Sequence, residues 1–117
     1  MPHCVIETSS ELSELIDFDV LVKEIHDTTE SSGLFEIGDV KSRLVIFENY
    51  LVGGVKAPFV HIVTHLLSGR SDDQRKELAD STALKLCELL PTVKMLSVEI
   101  REIDKKMYSN RKALMKT

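Results

Sequence analysis

The sequence predicts an α/β (α+β) fold in which two consecutive β-α-β units join into one mixed four-stranded sheet with two helices on one face. Three observations carry this. Four segments read as strands from alternation or from β-branched and aromatic content, and two segments with apolar residues at helical spacing each fall between a pair of them. The halves also share a faint likeness, since Pro2, Ile6 and Thr8 recur as Pro58, Ile62 and Thr64. At 117 residues the chain fits a single domain, 1–117, with approximate halves 2–56 and 57–103 and a C-terminal arm over 104–117.

Residues 2–8 read as a short strand. A polar connection leads to a helix that carries Val20, Leu21 and Ile25 and ends at Ser31-Ser32-Gly33. Over residues 40–50, Val40, Ser42, Leu44 and Ile46 take one face of a strand and Lys41, Arg43, Val45 and Phe47 the other. Gly53-Gly54 supplies a turn, and residues 57–67 form a third run rich in β-branched and aromatic side chains. Ser71 and Gln74 have capping-box spacing, opening a helix expected to bury Ala79, Ala83, Leu86, Cys87 and Leu90 until Pro91 closes it. Residues 94–103 alternate again, with Leu96, Val98 and Ile100 on one side. From Asp104 the chain turns polar and basic, as an arm does.

Parallel strands within each unit require a crossover helix, and helices covering one sheet face leave the other to be covered by a second copy, so oligomers are expected. No stretch approaches the ~20 apolar residues that span a bilayer, and the start Met-Pro-His-Cys lacks the basic and apolar regions of a signal peptide, which predicts a cytoplasmic protein with no membrane partner. With a net charge of −4, dispersed Lys and Arg, no Trp and two Tyr, the composition speaks against nucleic acid. A local cation cluster in such an acidic chain suits a small anionic ligand. Cys4 and Cys87 lie in apolar surroundings outside any CxxC pair and read as reduced, packed thiols.

Pro2 is the most informative residue. Removal of Met1 would leave its ring nitrogen as a free secondary amine, a base if burial and neighbouring cations lower its pKa toward neutrality. The plainer reading is a proline that starts an edge strand, where its missing N–H costs nothing. Pro58 has no such amine, because its nitrogen is held in a peptide bond. Lys41 and Arg43 share a strand face, and Arg70 follows Ser68-Gly69 at a strand end just before the capped helix. Each alone is ordinarily a solvated charge, whereas grouped around an N-terminal base they would bind an anion. His61 and His65 have the spacing of a helical zinc pair, but on a strand they would stand about 13 Å apart at ~3.3 Å per residue, so no metal site is expected there. His3 and Cys4, being adjacent, point to opposite faces and make no dyad. Nucleotide-binding and hydrolase patterns are not recognisable.

Taken together, Pro-His-x-x-Ile-Glu at the start, Gly33-Leu-Phe, Val40-Lys-Ser-Arg43, Phe59-Val-His61, Ser68-Gly-Arg-Ser71 and Leu96-Ser-Val-Glu-Ile100 resemble 5-carboxymethyl-2-hydroxymuconate isomerase of the tautomerase superfamily, nearly end to end and including Asn110 and Ala113-Leu114. The resemblance implies a homotrimer, no cofactor or metal, and an isomerase that ketonises a tricarboxylic dienol in the breakdown of the aromatic acid homoprotocatechuate. It implies Pro2 as the base and Arg70 as the group that binds a substrate carboxylate or polarises the developing oxo group. Lys41 stands where the family pattern has arginine and lacks the planar fork for carboxylate, while Arg43 matches the pattern; both are expected to bind substrate. The same amine and arginines would also serve a promiscuous tautomerase or a dehalogenase-like hydratase, and the fold alone would serve a trimeric binding protein.

Overall fold

The computed structural model describes residues 1–115. Strand β1 (His3–Ser9) leads through a 3-10 turn (Ser10–Glu14) to helix α1 (Phe18–Glu30) and strand β2 (Lys41–Phe47). Strand β3 (Phe59–Leu67), helix α2 (Asp72–Leu89) and strand β4 (Met95–Ile103) repeat the pattern, and a second 3-10 turn (Lys105–Met107) precedes the short helix α3 (Arg111–Leu114). The sheet order is β2-β1-β3-β4, with β1 parallel to β2, β3 parallel to β4 and β1 antiparallel to β3. This is the mixed four-stranded sheet of two β-α-β units that the alternation predicts.

The strand limits follow from hydrogen bonding. β2 stops at Phe47 because its partner ends there, Ser9 facing Phe47, so residues 48–50 have nothing to pair with. β3 begins at Phe59 because Pro58 has no N–H to give to a ladder. β1 likewise starts after Pro2, although the Pro2 carbonyl still accepts from the Lys41 amide at 3.0 Å. The register agrees with a duplication. Pro2 and Pro58 are 58 − 2 = 56 positions apart, and under that shift the pair Cys4↔Thr64 maps onto Thr8↔Val60 while Ile6 faces its own counterpart Ile62.

One core lies between the sheet and both helices. Cys4 and Ile6 of β1, Val60 and Ile62 of β3, Leu21 and Ile25 of α1 and Leu86 of α2 are buried in a single cluster, closed at one end by Leu12 from the first 3-10 turn and by Leu90 and Val93. Asp17 caps α1 through the amides of Asp19 and Val20, and Ser71 and Gln74 form the reciprocal capping box of α2. Thr8, Thr29 and Thr82, polar yet buried, each spend the hydroxyl on a backbone carbonyl.

Two expectations are corrected. The buried stripe of α2 is Leu78, Thr82 and Leu86, with i, i+4 spacing, and Leu90 follows it into the core. Cys87, one residue and about 100° of helical rotation from Leu86, is therefore exposed and not a packed thiol, and Ala79 and Ala83 are half-buried at the margin. On α1, Leu21 and Ile25 are buried but Val20 is 47% exposed for the same reason. Among the described residues no helix is long and apolar enough to cross a membrane. The expected C-terminal arm is described to residue 115, and its last two residues lie outside the described part.

Candidate active site

The chain start, the end of β3 and the segment after β4 converge. Pro2 is buried, and Met1 lies in a cleft of about 380 Å³ whose walls include Phe35, Arg70, Tyr108, Asn110 and Lys112. The antiparallel pairing of β1 with β3 causes this meeting: His3 faces His65, so the start of β1 lies beside the end of β3, from which the chain runs through Ser68-Gly69 to Arg70. The parallel pairing of β4 with β3 brings Ile103 to the same end, and the residues that follow close the cleft.

Arg70 is locked in place. Its Nη2 donates to the Leu34 carbonyl at 2.8 Å and its Nη1 to the Leu67 carbonyl at 3.4 Å, while the guanidinium lies 5.0 Å from the centre of the Phe35 ring. An adjoining hollow of about 420 Å³ shares Arg70 and Leu34 with the cleft and adds Lys105. Gly69 turns the chain here at φ 129°, a backbone conformation that a residue with a side chain rarely adopts, and the Lys105 ammonium lies within ordinary contact distance of it.

Lys41 opens β2 with its Nζ donating to the Asp39 carbonyl at 2.7 Å. The Met1 amine has its pKa lowered, first by burial and then by the hydrogen bond and charge of Lys41; Asp39 opposes this and Lys112 adds to it. Arg43, on the same face of β2, does not line the cleft. Its Nη1 lies 3.1 Å from Nδ1 of His3, whose Nε2 is 3.1 Å from the Tyr108 hydroxyl. The expected site residues Pro2, Lys41 and Arg70 are thus brought together at the chain start, and Arg43 reaches it only through His3.

The sequence reading missed Phe35, Tyr108, Asn110, Lys112 and Lys105 as parts of the site. The signal available was a single tyrosine in a polar, basic tail; the tail docks across the sheet end. Elsewhere, a hollow of about 480 Å³ between α1 and α2 is lined by Glu24, Asp27 and Glu77, with Lys85 near Glu24 at 3.6 Å, and its acidity suits an anion poorly. His61 on β3 engages Ser97 at 2.7 Å and Glu99 at 2.6 Å. Among the described residues no cluster of three His, Cys, Asp or Glu side chains could hold a metal ion.

Comparison with known proteins agrees with this fold. The family described as CHMI: 5-carboxymethyl-2-hydroxymuconate isomerase matches residues 2–117. A 5-carboxymethyl-2-hydroxymuconate isomerase from Deinococcus radiodurans R1 superposes with a TM-score of 0.83 at 23% identity, covering 94% of this chain and 88% of that one. A 5-carboxymethyl-2-hydroxymuconate delta-isomerase superposes with a TM-score of 0.78 at 16% identity, covering 100% and 94% of the two chains. A fused 4-OT wild type symmetric trimer gives 0.75 at 16% identity over 93% of this chain and 91% of that one. No curated protein matches the sequence in direct comparison.

Proposed function

The chain belongs to the 5-carboxymethyl-2-hydroxymuconate isomerase family and is an isomerase, and from that premise we propose that it ketonises an unsaturated di- or tricarboxylic enol with Pro2 as its base. The observation that carries the proposal is the opening of the chain start into a cleft that also holds Arg70 and Lys112, with Lys41 beside it.

With Met1 removed, the Pro2 nitrogen occupies the surroundings that lower the pKa of the Met1 amine: partial burial, the ammonium of Lys41 and that of Lys112. Each disfavours a second cation, so a larger share of the amine is the free base near neutral pH. The neutral nitrogen takes the proton of the enol hydroxyl, or of the vinylogous carbon, and returns it at another carbon of the conjugated system. A substrate carboxylate placed on Arg70 meets a guanidinium already oriented by two carbonyls and an aromatic ring, so little of its mobility remains to be lost on binding. Lys41, Lys112 and Lys105 offer point charges to the remaining carboxylates, and Arg43 adds its field from behind His3.

A homotrimer is part of the same reading. Among the described residues the sheet face away from the helices has no covering layer, and Val45 and Phe47 of the edge strand β2 on that face, with Leu51 and Val55 in the loop that follows and Met95 in one hollow with Leu51, are exposed and apolar. The fused 4-OT neighbour, described as a symmetric trimer, supports it. Lys41 in place of an arginine favours a substrate whose carboxylate there needs charge more than a two-pronged bond, which keeps a broader tautomerase as the second reading.

The test is ultraviolet-monitored ketonisation of 5-carboxymethyl-2-hydroxymuconate by protein whose intact mass lacks Met1, beside Pro2→Ala. Fast turnover that falls by ~10²–10⁴ in the variant is expected, the usual worth of a general base. Equal rates for the two proteins would sink the proline mechanism.

A further inference from the structure

Arg43, His3 and Tyr108 form a chain of hydrogen bonds from the open sheet face into the cleft, and its polarity is fixed at one end. A guanidinium carries only donors, so at 3.1 Å from Arg43 Nη1 the Nδ1 atom of His3 must accept. A neutral imidazole that accepts at Nδ1 carries its proton on Nε2. That proton points to Tyr108, whose hydroxyl oxygen is 3.1 Å away, with the two rings edge to face at a centroid separation of 6.1 Å. The phenol oxygen accepts, and its own single proton is left to donate elsewhere. Among the described residues the Tyr108 hydroxyl has no other hydrogen-bond partner, and the residue lines the cleft with Arg70 and the chain start.

We propose that Tyr108 is a catalytic residue that donates its O–H to the substrate oxygen at which negative charge builds during ketonisation, and that Arg43 and His3 are positioning residues that hold that proton toward the cleft. The proposal rests on the isomerase reading above. When Pro2 takes the enol proton, the electron pair left behind delocalises over oxygen and the conjugated carbons. A fixed donor at the oxygen lowers the energy of that dienolate, and Arg70 holds the carboxylate. Tyr108 keeps its proton throughout, so the proton count closes on Pro2 and the substrate alone.

The imidazole must stay neutral for this to work, and its surroundings keep it so. Burial comes first, and then the charges of Arg43, Lys41, the chain-start amine and His65, all of which lower its pKa. A protonated ring would direct an Nδ1–H at the Arg43 guanidinium, donor against donor.

Tyr108→Phe, which keeps the ring and removes the proton, is expected to lower kcat by ~10²–10³, the usual cost of one such donor, with KM little changed. Arg43→Met is expected to lower kcat in the wild-type background and to add nothing in a Tyr108→Phe background, because both act through one proton. Nitrogen-15 NMR of His3 supplies a readout apart from turnover, with the neutral Nε2–H form expected. Full kcat in Tyr108→Phe while Pro2→Ala still collapses would overturn the donor role and leave the isomerase reading intact. A cationic His3, or one protonated at Nδ1 alone, would overturn the positioning chain. Loss of turnover in the wild type itself would remove both readings, and the wild-type control tells this case from the others.

Discussion

Ile6 and Ile62 face each other across the β1 and β3 ladder, both fully buried, at the point where the two halves of the chain meet their own likeness. The pair sits in the cluster that joins α1, α2 and the sheet, so each side chain fills space against both units. Truncation leaves a cavity that the surrounding strands cannot close. Ile6→Ala and Ile62→Ala are each expected to cost about 2–5 kcal/mol in denaturant unfolding, and the double variant to depart from the sum because the residues are neighbours. A loss under ~1 kcal/mol for either would show that the halves do not share this core.

Much of this architecture is legible in the sequence because alternation and helical spacing are local signals. The phase of a helix is less secure, since one residue rotates a side chain by about 100° and separates the buried Leu86 from the exposed Cys87. Lys41 and Arg70 were legible as cations near strand ends, and the register brings them to the chain start. Tyr108 was not, because its bond to His3 joins residues 105 positions apart and depends on how the tail folds back over the sheet end. Arg43 was legible as a charge on the right face, but its engagement with an imidazole instead of an acid is a tertiary fact.

The two thiols should differ sharply. Cys4 is fully buried, beside the Thr64 hydroxyl at 3.6 Å, and burial raises its pKa, while Cys87 is exposed on α2. An aromatic disulfide reagent is expected to titrate one thiol per chain in the native protein and two after unfolding, with Cys87→Ser abolishing the native reaction. Two fast thiols in the native state would contradict the packing of β1 against the helices.

Acid should weaken the uncovered face of the sheet. Arg101 first and His61 second hold the Glu99 carboxyl down to about 2. A carboxyl depressed in the folded state stabilises it fully above the ordinary carboxylate range, about 4.5, and loses that contribution as pH falls toward 2. The melting temperature of Glu99→Gln is therefore expected below that of the wild type at pH 7, with the gap narrowing steadily below pH 4.5 and closing only once pH passes below about 2. A gap of constant size across that range would mean that the ion pairs of Glu99 do not act on stability.

Lys41 offers a test of how the base is tuned, with the sign fixed in advance. The amine works unprotonated, so kcat/KM rises with pH through its pKa. Lys41 lowers the pKa of the chain-start amine by its hydrogen bond and its charge, after burial, and the same ammonium stands beside the Pro2 nitrogen once Met1 is gone. Replacing it by an uncharged residue raises that pKa, so the acid limb of the kcat/KM profile in Lys41→Gln is expected to move to higher pH, while Lys41→Arg, which keeps the charge, leaves the limb near its wild-type position. Weaker substrate binding alone would lower kcat/KM at every pH by a common factor and leave the limb where it was. A profile of that unshifted form in Lys41→Gln would assign Lys41 to carboxylate binding and leave burial as the main cause of the depressed amine.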